Sequence, residues 1–190
     1  MTRQRRLTPF QHRRKTVLKA AIASIVLSAL AANLHAQTMD HSNDAQRQAE
    51  VAGRGKDVMP FSLAATTHVF TKTAEGGIQQ VVVKKPADAA QVQWVRQHLQ
   101  DIRERFLKGD FSGPAHIHGQ DMPGLADLKA AKPGQMAITY KDIEGGAELA
   151  FKTSDPALIA ALHQWFDAQL SDHGKDAMEG DAHHSEMMNK

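Results

Sequence analysis

Five histidines fall on or beside segments whose patterning suits ordered structure: His68, His98, His118, His163 and His173. His116 stands two residues before His118. His183 and His184 share a C-terminal stretch with Met178, Met187 and Met188. The chain has no cysteine. Imidazole and thioether are therefore its only soft or borderline ligands for a transition metal. Imidazole binds when neutral, so metal affinity is expected to fall below about pH 6.

Each position also has a plainer role open to it. His98 follows Val95 by three residues and precedes Ile102 by four, at the border of an apolar stripe. There it can lean toward a site, or bond to water or a carboxylate at a helix edge. His163 sits inside its stripe, where a core imidazole must be hydrogen-bonded. His68 shares a strand face with Phe70, so both are buried or neither is. His116 and His118, in a segment read as extended loop, project to one side and can chelate one ion. His173 ends a helix, where a cation suits the dipole, and Asp172 beside it can orient an imidazole. Met122 is a soft ligand or a gap filler next to Pro123.

The N-terminal segment 1–36 has the three parts of an export signal. Arg3, Arg5, Arg6, Arg13, Arg14, Lys15 and Lys19 precede an uncharged apolar run from Ala20 to Ala32, and Ala36 ends a small-residue cleavage site. The run is short for a membrane span, which needs about 20 residues. A periplasmic or secreted protein with no stable membrane insertion after cleavage is expected. Arg13-Arg14 admits the twin-arginine route beside the general one, although Thr16 suits it poorly. The segment removes 7 of 23 basic residues and none of the 21 acidic ones, which leaves 16 against 21, a charge of −5. A nucleic-acid partner is not expected. Without cysteine there is no disulfide, lipoprotein anchor or covalent c-type haem.

Residues 37–57 are polar and aperiodic and read as a flexible linker. Residues 58–174 form a single α+β domain, and 175–190 a disordered tail rich in Met and His. Thr66–Thr73 and Ile78–Lys84 alternate around Gly76-Gly77 and read as a hairpin. Val92, Val95, Leu99, Ile102 and Phe106 then form one helical stripe. Gly109 to Gly119 reads as loop and Leu125–Ala131 as a short helix. Gln135–Tyr140 and Ala147–Thr153 flank a second turn at Gly145-Gly146. Asp155-Pro156 opens a last helix with a stripe of Leu158, Ile159, Leu162, Phe166 and Leu170. Hairpin then helix occurs twice, and Glu-Gly-Gly recurs 69 residues apart. The expectation is a duplicated ββα–ββα unit, a four-stranded antiparallel sheet with both helices on one face. That fold would gather the helix, strand and loop histidines.

Gly109-Asp110-Phe111, Pro114, Ile117-His118-Gly119 and Pro123-Gly124 resemble a loop in a family of small exported bacterial proteins of unknown function. His68-Val69-Phe70 and the helix Ala161-Leu162-His163, Phe166, Gln169, Asp172-His173 fit the same pattern, over roughly Met59 to Gly174. The resemblance implies that the five element histidines belong to the shared pattern. His116 and the Met/His tail are particular to this sequence. Some members carry the label aspartate carbamoyltransferase. That activity is not expected here, since the Ser-Thr-Arg-Thr phosphate loop is missing and the chain is too short for the two-domain transferase.

The leading expectation is an exported metal-binding protein, for copper first and zinc second, which sequesters or hands on the ion. No protein partner is indicated. A metal-dependent hydrolase, non-covalent haem binding through axial histidines and a plain interaction module are the alternatives. No nucleophile elbow, zincin helix or phosphate loop supports the enzyme.

Overall fold

The computed structural model describes residues 43–181. The signal segment 1–36 and the tail residues His183, His184, Met187 and Met188 lie outside them.

Alternating polarity organises the sheet. Thr66–Thr73 (β1), Gly76–Val83 (β2), Ala137–Ile143 (β3) and Gly146–Lys152 (β4) pair antiparallel. Phe70, Gln79 and Leu149 stand side by side in register, as do His68, Val81 and Ala147, and all six are buried. Residues of opposite parity form the other face, where Gln80 donates to Glu148 at 2.7 Å. One dry face and one wet face is the usual antiparallel arrangement.

The expected four strands are joined by a fifth. After the last helix a single 3-10 turn returns the chain, and Ala177–Glu179 (β5) lies parallel to β1, opposite His68–Phe70. The sheet is therefore five-stranded and mixed, in the order β3-β4-β2-β1-β5. The segment expected to be disordered from residue 175 thus begins in the sheet, and Met178 is an exposed strand residue.

Ala89–Phe106 (α2) packs on β2, β3 and β4, and Pro156–His173 (α5) on β1, β2 and β5. Both starts are capped as their sequences dictate. Asp88 accepts from the backbone of Gln91, and Asp155 from that of Ala157 ahead of Pro156. In α2, Val95, Leu99 and Phe106 are buried, with Val92 and Ile102 packed against them. In α5 the buried stripe is rotated from the expected one. Trp165, Gln169, Asp172 and His173 turn inward, and Ile159 and Leu170 are only half-buried. The indole is the largest side chain on the helix, and it fills the space against Phe106, Phe111 and Phe151.

The two hairpins correspond, one residue away from where the Glu-Gly-Gly strings would align them. Thr73 pairs with Gly76 and Ile143 with Gly146, so equivalent positions lie 70 apart. The plain ββα–ββα order is also interrupted, because Ser112–His118 (α3) and Leu125–Ala130 (α4) lie between the halves.

The helix α3 replaces an expected loop. Gly113 and Pro114 fall in its first turn, where proline forfeits no intrahelical bond. Asp110 accepts from the backbone of Ser112 at 3.0 Å. Phe111 lies flat on Phe106, with ring centroids 4.4 Å apart. The i, i+2 pair His116 and His118 therefore diverges, because two residues turn a helix by about 200°. His116 is exposed beside Asp57, and His118 is buried.

The linker expectation fails over residues 43–55, which form a helix (α1). Its Ala, Gln, Arg and Glu are good helix formers. Arg47, Val51 and Arg54 recur at helical spacing on one side. Val51 enters the core. Arg54 donates to the carbonyl of Ile117 at 2.7 Å and Arg47 to that of His118 at 2.6 Å. These are C-terminal carbonyls of α3 with no partner inside their own helix, and cations favour that end.

Candidate functional site

Four of the five element histidines line one cavity of about 40 Å³: His68 from β1, His98 from α2, His118 from α3 and His173 from α5. His173 stacks on His68 with ring centroids 4.7 Å apart and planes 10° apart. His118 meets His173 edge-on at 4.9 Å. Phe61 spans the remaining gap, 6.1 Å from His68 and 5.4 Å from His98.

His118 is the most firmly positioned. Its Nδ1 is 2.9 Å from Asp172 Oδ2. Arg47 grips the same carboxylate with two bonds, Nε to Oδ1 and Nη2 to Oδ2, each 2.8 Å. Burial works to raise the Asp172 carboxyl, but the hydrogen bonds from His118 and Arg47 outweigh it and hold it at about 2. An ionised carboxylate only accepts, so Nδ1 of His118 carries a proton and donates to it, which leaves Nε2 as the ring's remaining position for a ligand. Orientation of an imidazole by a carboxylate is the arrangement common behind metal-bound histidines.

The Nδ1 of His68 is buried and has no hydrogen-bond partner. Burial, reinforced by His173, pushes the His68 pKa well below its usual value. Burial foremost also lowers His98 to about 4 and His173 to about 3. These three rings are neutral near neutrality, the form that can ligate.

Three further residues that line the same cavity carry buried polar atoms without partners: Gln79 Oε1, Trp165 Nε1 and Gln169 Nε2. They went unread in the sequence. The spacing Trp165, Gln169, His173 at i, i+4 and i+8 was the signal for two of them. Arg47 was likewise passed over, inside a segment read as linker.

The remaining candidates lie elsewhere. His163 is on α5, but its Nε2 faces the carbonyls of Gly76 at 2.8 Å and Thr73 at 3.2 Å, so it staples α5 to the β1–β2 turn. His116 is at the surface. Met122 is buried and packs in the core, the gap-filling role. Asp172 is hydrogen-bonded to His118 and Arg47 and does not line the cavity. Among the described residues, no group of three or more His, Cys, Asp or Glu side chains stands ready-formed around one point. The stacked planes of His68 and His173 explain part of this, since their in-plane lone pairs run side by side and do not converge.

No protein-family model, curated protein or solved structure matches the chain. Among the described residues no helix is long and apolar enough to cross a membrane.

Proposed function

We propose that this protein binds a transition-metal ion, copper first and zinc second, through imidazoles drawn from His68, His98, His118 and His173. The carrying observation is that four imidazoles from four separate elements line one small cavity, with His118 oriented through Nδ1 by the Asp172 carboxylate. Charged or polar side chains are costly to bury without a purpose, and α1, α3 and α5 all contribute to holding this one. Without thiols, imidazole is the ligand that suits copper and zinc alike. Binding one ion through both His68 and His173 would require their stack to open.

The ligands come from both halves of the fold. We read β1–β2–α2 and β3–β4–α5 as a duplicated ββα unit, with α3 and α4 inserted between them. The first half supplies His68 and His98, the second His173, and the insertion His118. The cavity volume favours an ion over a haem, whose ring is many times larger. With residues 1–36 as an export signal, the protein sequesters or hands on its ion in the periplasm or outside the cell. The tail histidines and methionines would then serve as an auxiliary binding segment.

The test is a calorimetric titration of the chain lacking residues 1–36 with copper and with zinc. One stoichiometric site is expected, weakened at least tenfold in His118→Ala and in His173→Ala, and retained in His163→Ala. Absence of stoichiometric uptake overturns the reading. Uptake that ignores both cavity variants would assign binding to the tail instead.

A further inference from the structure

Gln79 Oε1, Trp165 Nε1 and Gln169 Nε2 are an unusual set of groups to leave unpaired. All three residues are at least 95% buried, at 5%, 1% and 5% exposure. None of these atoms has a hydrogen-bond partner, and all three residues line the histidine cavity. Burying one such group without a partner is unfavourable by about 1–3 kcal/mol, and native folds rarely leave several together. Apolar cavities stay empty, whereas polar ones hold a guest that completes their hydrogen bonds.

The three atoms limit the hydrogen-bonding character of that guest. Trp165 Nε1 and Gln169 Nε2 donate, and Gln79 Oε1 accepts. A small polar guest, or a few small polar groups, that accepts from the first two and donates to the third would pair them. The cavity of about 40 Å³ has room for a few water-sized groups, given on the order of 10–15 Å³ for each. It has no room for an amino acid, a sugar or a nucleotide. The placement is also specific. Gln169 is one helical turn from His173, and Gln79 stands on β2 in register with Phe70, beside the His68–Val81 pair.

We infer that the cavity is a receptor for a small exogenous ligand of the metal ion, an oxygen or nitrogen donor of one to three heavy atoms, hydrogen-bonded by Trp165, Gln169 and Gln79. This rests on the metal reading above and deepens it. The ion's coordination is completed by a guest, so the centre is open to exchange and is not sealed by protein ligands alone. The inner wall selects for size and for hydrogen-bonding capacity. Its remaining surface is apolar, with Leu99, Ile102 and Phe106 facing the same space, so larger or purely apolar guests gain little.

Azide is the probe. It is a three-atom anion that ligates copper(II) and accepts hydrogen bonds at its ends, so it reports on the donors Trp165 Nε1 and Gln169 Nε2 and not on Gln79. The copper(II)-loaded chain without residues 1–36 is titrated with azide and followed by the azide-to-copper charge-transfer absorption and by electron paramagnetic resonance. Saturable binding at one azide per copper is expected. Gln169→Met and Trp165→Phe should each weaken azide roughly tenfold, the effect of losing one hydrogen bond to a charged group, while copper affinity changes no more than a few-fold. Trp165→Phe also thins the core, so Gln169→Met, which keeps length and volume, carries the decision. Copper uptake without any azide perturbation overturns the inference and leaves the metal reading standing. Equal azide affinity in Gln169→Met and wild type overturns it too. A chain that takes up no copper ends both readings, and the copper titration that precedes azide tells the cases apart.

Discussion

His173 lies flat against His68, and neither ring can accept a proton without placing a cation in a buried stack. In the unfolded chain both titrate near 6.5. In the fold His68 is held well below that, His173 at about 3 and His98 at about 4, burial being the leading cause for each. The unfolded chain therefore binds protons that the folded one refuses. The stability that the neutral rings contribute is whole above about pH 6.5 and declines as pH falls toward 4 and then 3. Asp172, held at about 2, adds a second loss below its usual value of 3.8. The urea midpoint of the metal-free protein should be level between pH 7 and 8 and fall steadily below pH 6. His173→Phe, with one proton site fewer, should show a shallower fall. A midpoint unchanged down to pH 4.5 would contradict the buried neutral cluster.

Asp172 gives the sharpest probe of the metal reading. Its carboxylate orients His118 through Nδ1, and groups in that role typically change metal affinity by 10–100-fold when replaced. Asp172→Asn should weaken copper binding by that factor in competition with a chromophoric chelator. Arg47→Met removes a more remote group whose side chain is 45% exposed, so screening blunts its effect. A loss of at most a few-fold is expected there, with about 1 kcal/mol of stability. Equal effects of the two substitutions would mean that Asp172 acts by holding α1 in place and not by orienting the imidazole.

What could be read in the sequence was whatever local pattern decides. The β1 alternation, the α2 stripe and the Asp155-Pro156 start depend on nearest neighbours along one element, and they stand where periodicity puts them. The α3 helix was illegible because Gly113 and Pro114 signal a break locally. Its support comes from Phe106 stacking on Phe111 and from arginines more than 60 positions away. The α1 helix has helix-forming composition but no apolar stripe, since Val51 alone enters the core and its other partners are the distant carbonyls it caps. The histidines could be placed on elements but not sorted, because helix phase decides their direction. Trp165 claims the inner position on α5 and carries Gln169 and His173 with it, while His163 is left facing the hairpin.

That sorting is itself testable. His163 Nε2–H donates to the carbonyls of Gly76 and Thr73 across the β1–β2 turn, and the ring is half-buried. His163→Leu keeps much of the volume and removes the donor. It should lower stability by about 1 kcal/mol, measured by urea unfolding, because two turn carbonyls lose a partner. Copper affinity should match wild type. A loss of copper binding comparable to that of His118→Ala would place His163 in the metal site after all.

The packing that presents α5 to the cavity depends on Gly124, the residue before α4. Its φ is 75°, and a Cβ there would lie 1.9 Å from the carbonyl oxygen of Ala161 on α5. Gly134 makes a clean comparison, with φ 86° and nothing within 4 Å of the same atom. Gly134→Ala should cost about 1–2 kcal/mol, the strain of a left-handed alanine alone. Gly124→Ala adds a clash with backbone that has no rotamer to yield, and overpacking of that kind is worth a further ~1–3 kcal/mol. Thermal unfolding should therefore separate the two variants by several degrees, with Gly124→Ala the weaker. Because Ala161 lies one turn before Trp165, the shift that relieves the clash also moves the indole and the helix that carries Gln169 and His173. Gly124→Ala should accordingly impair copper uptake even at temperatures where it is fully folded, and Gly134→Ala should not. Matching copper affinities in the two variants would show that the cavity holds its shape independently of the α4–α5 contact.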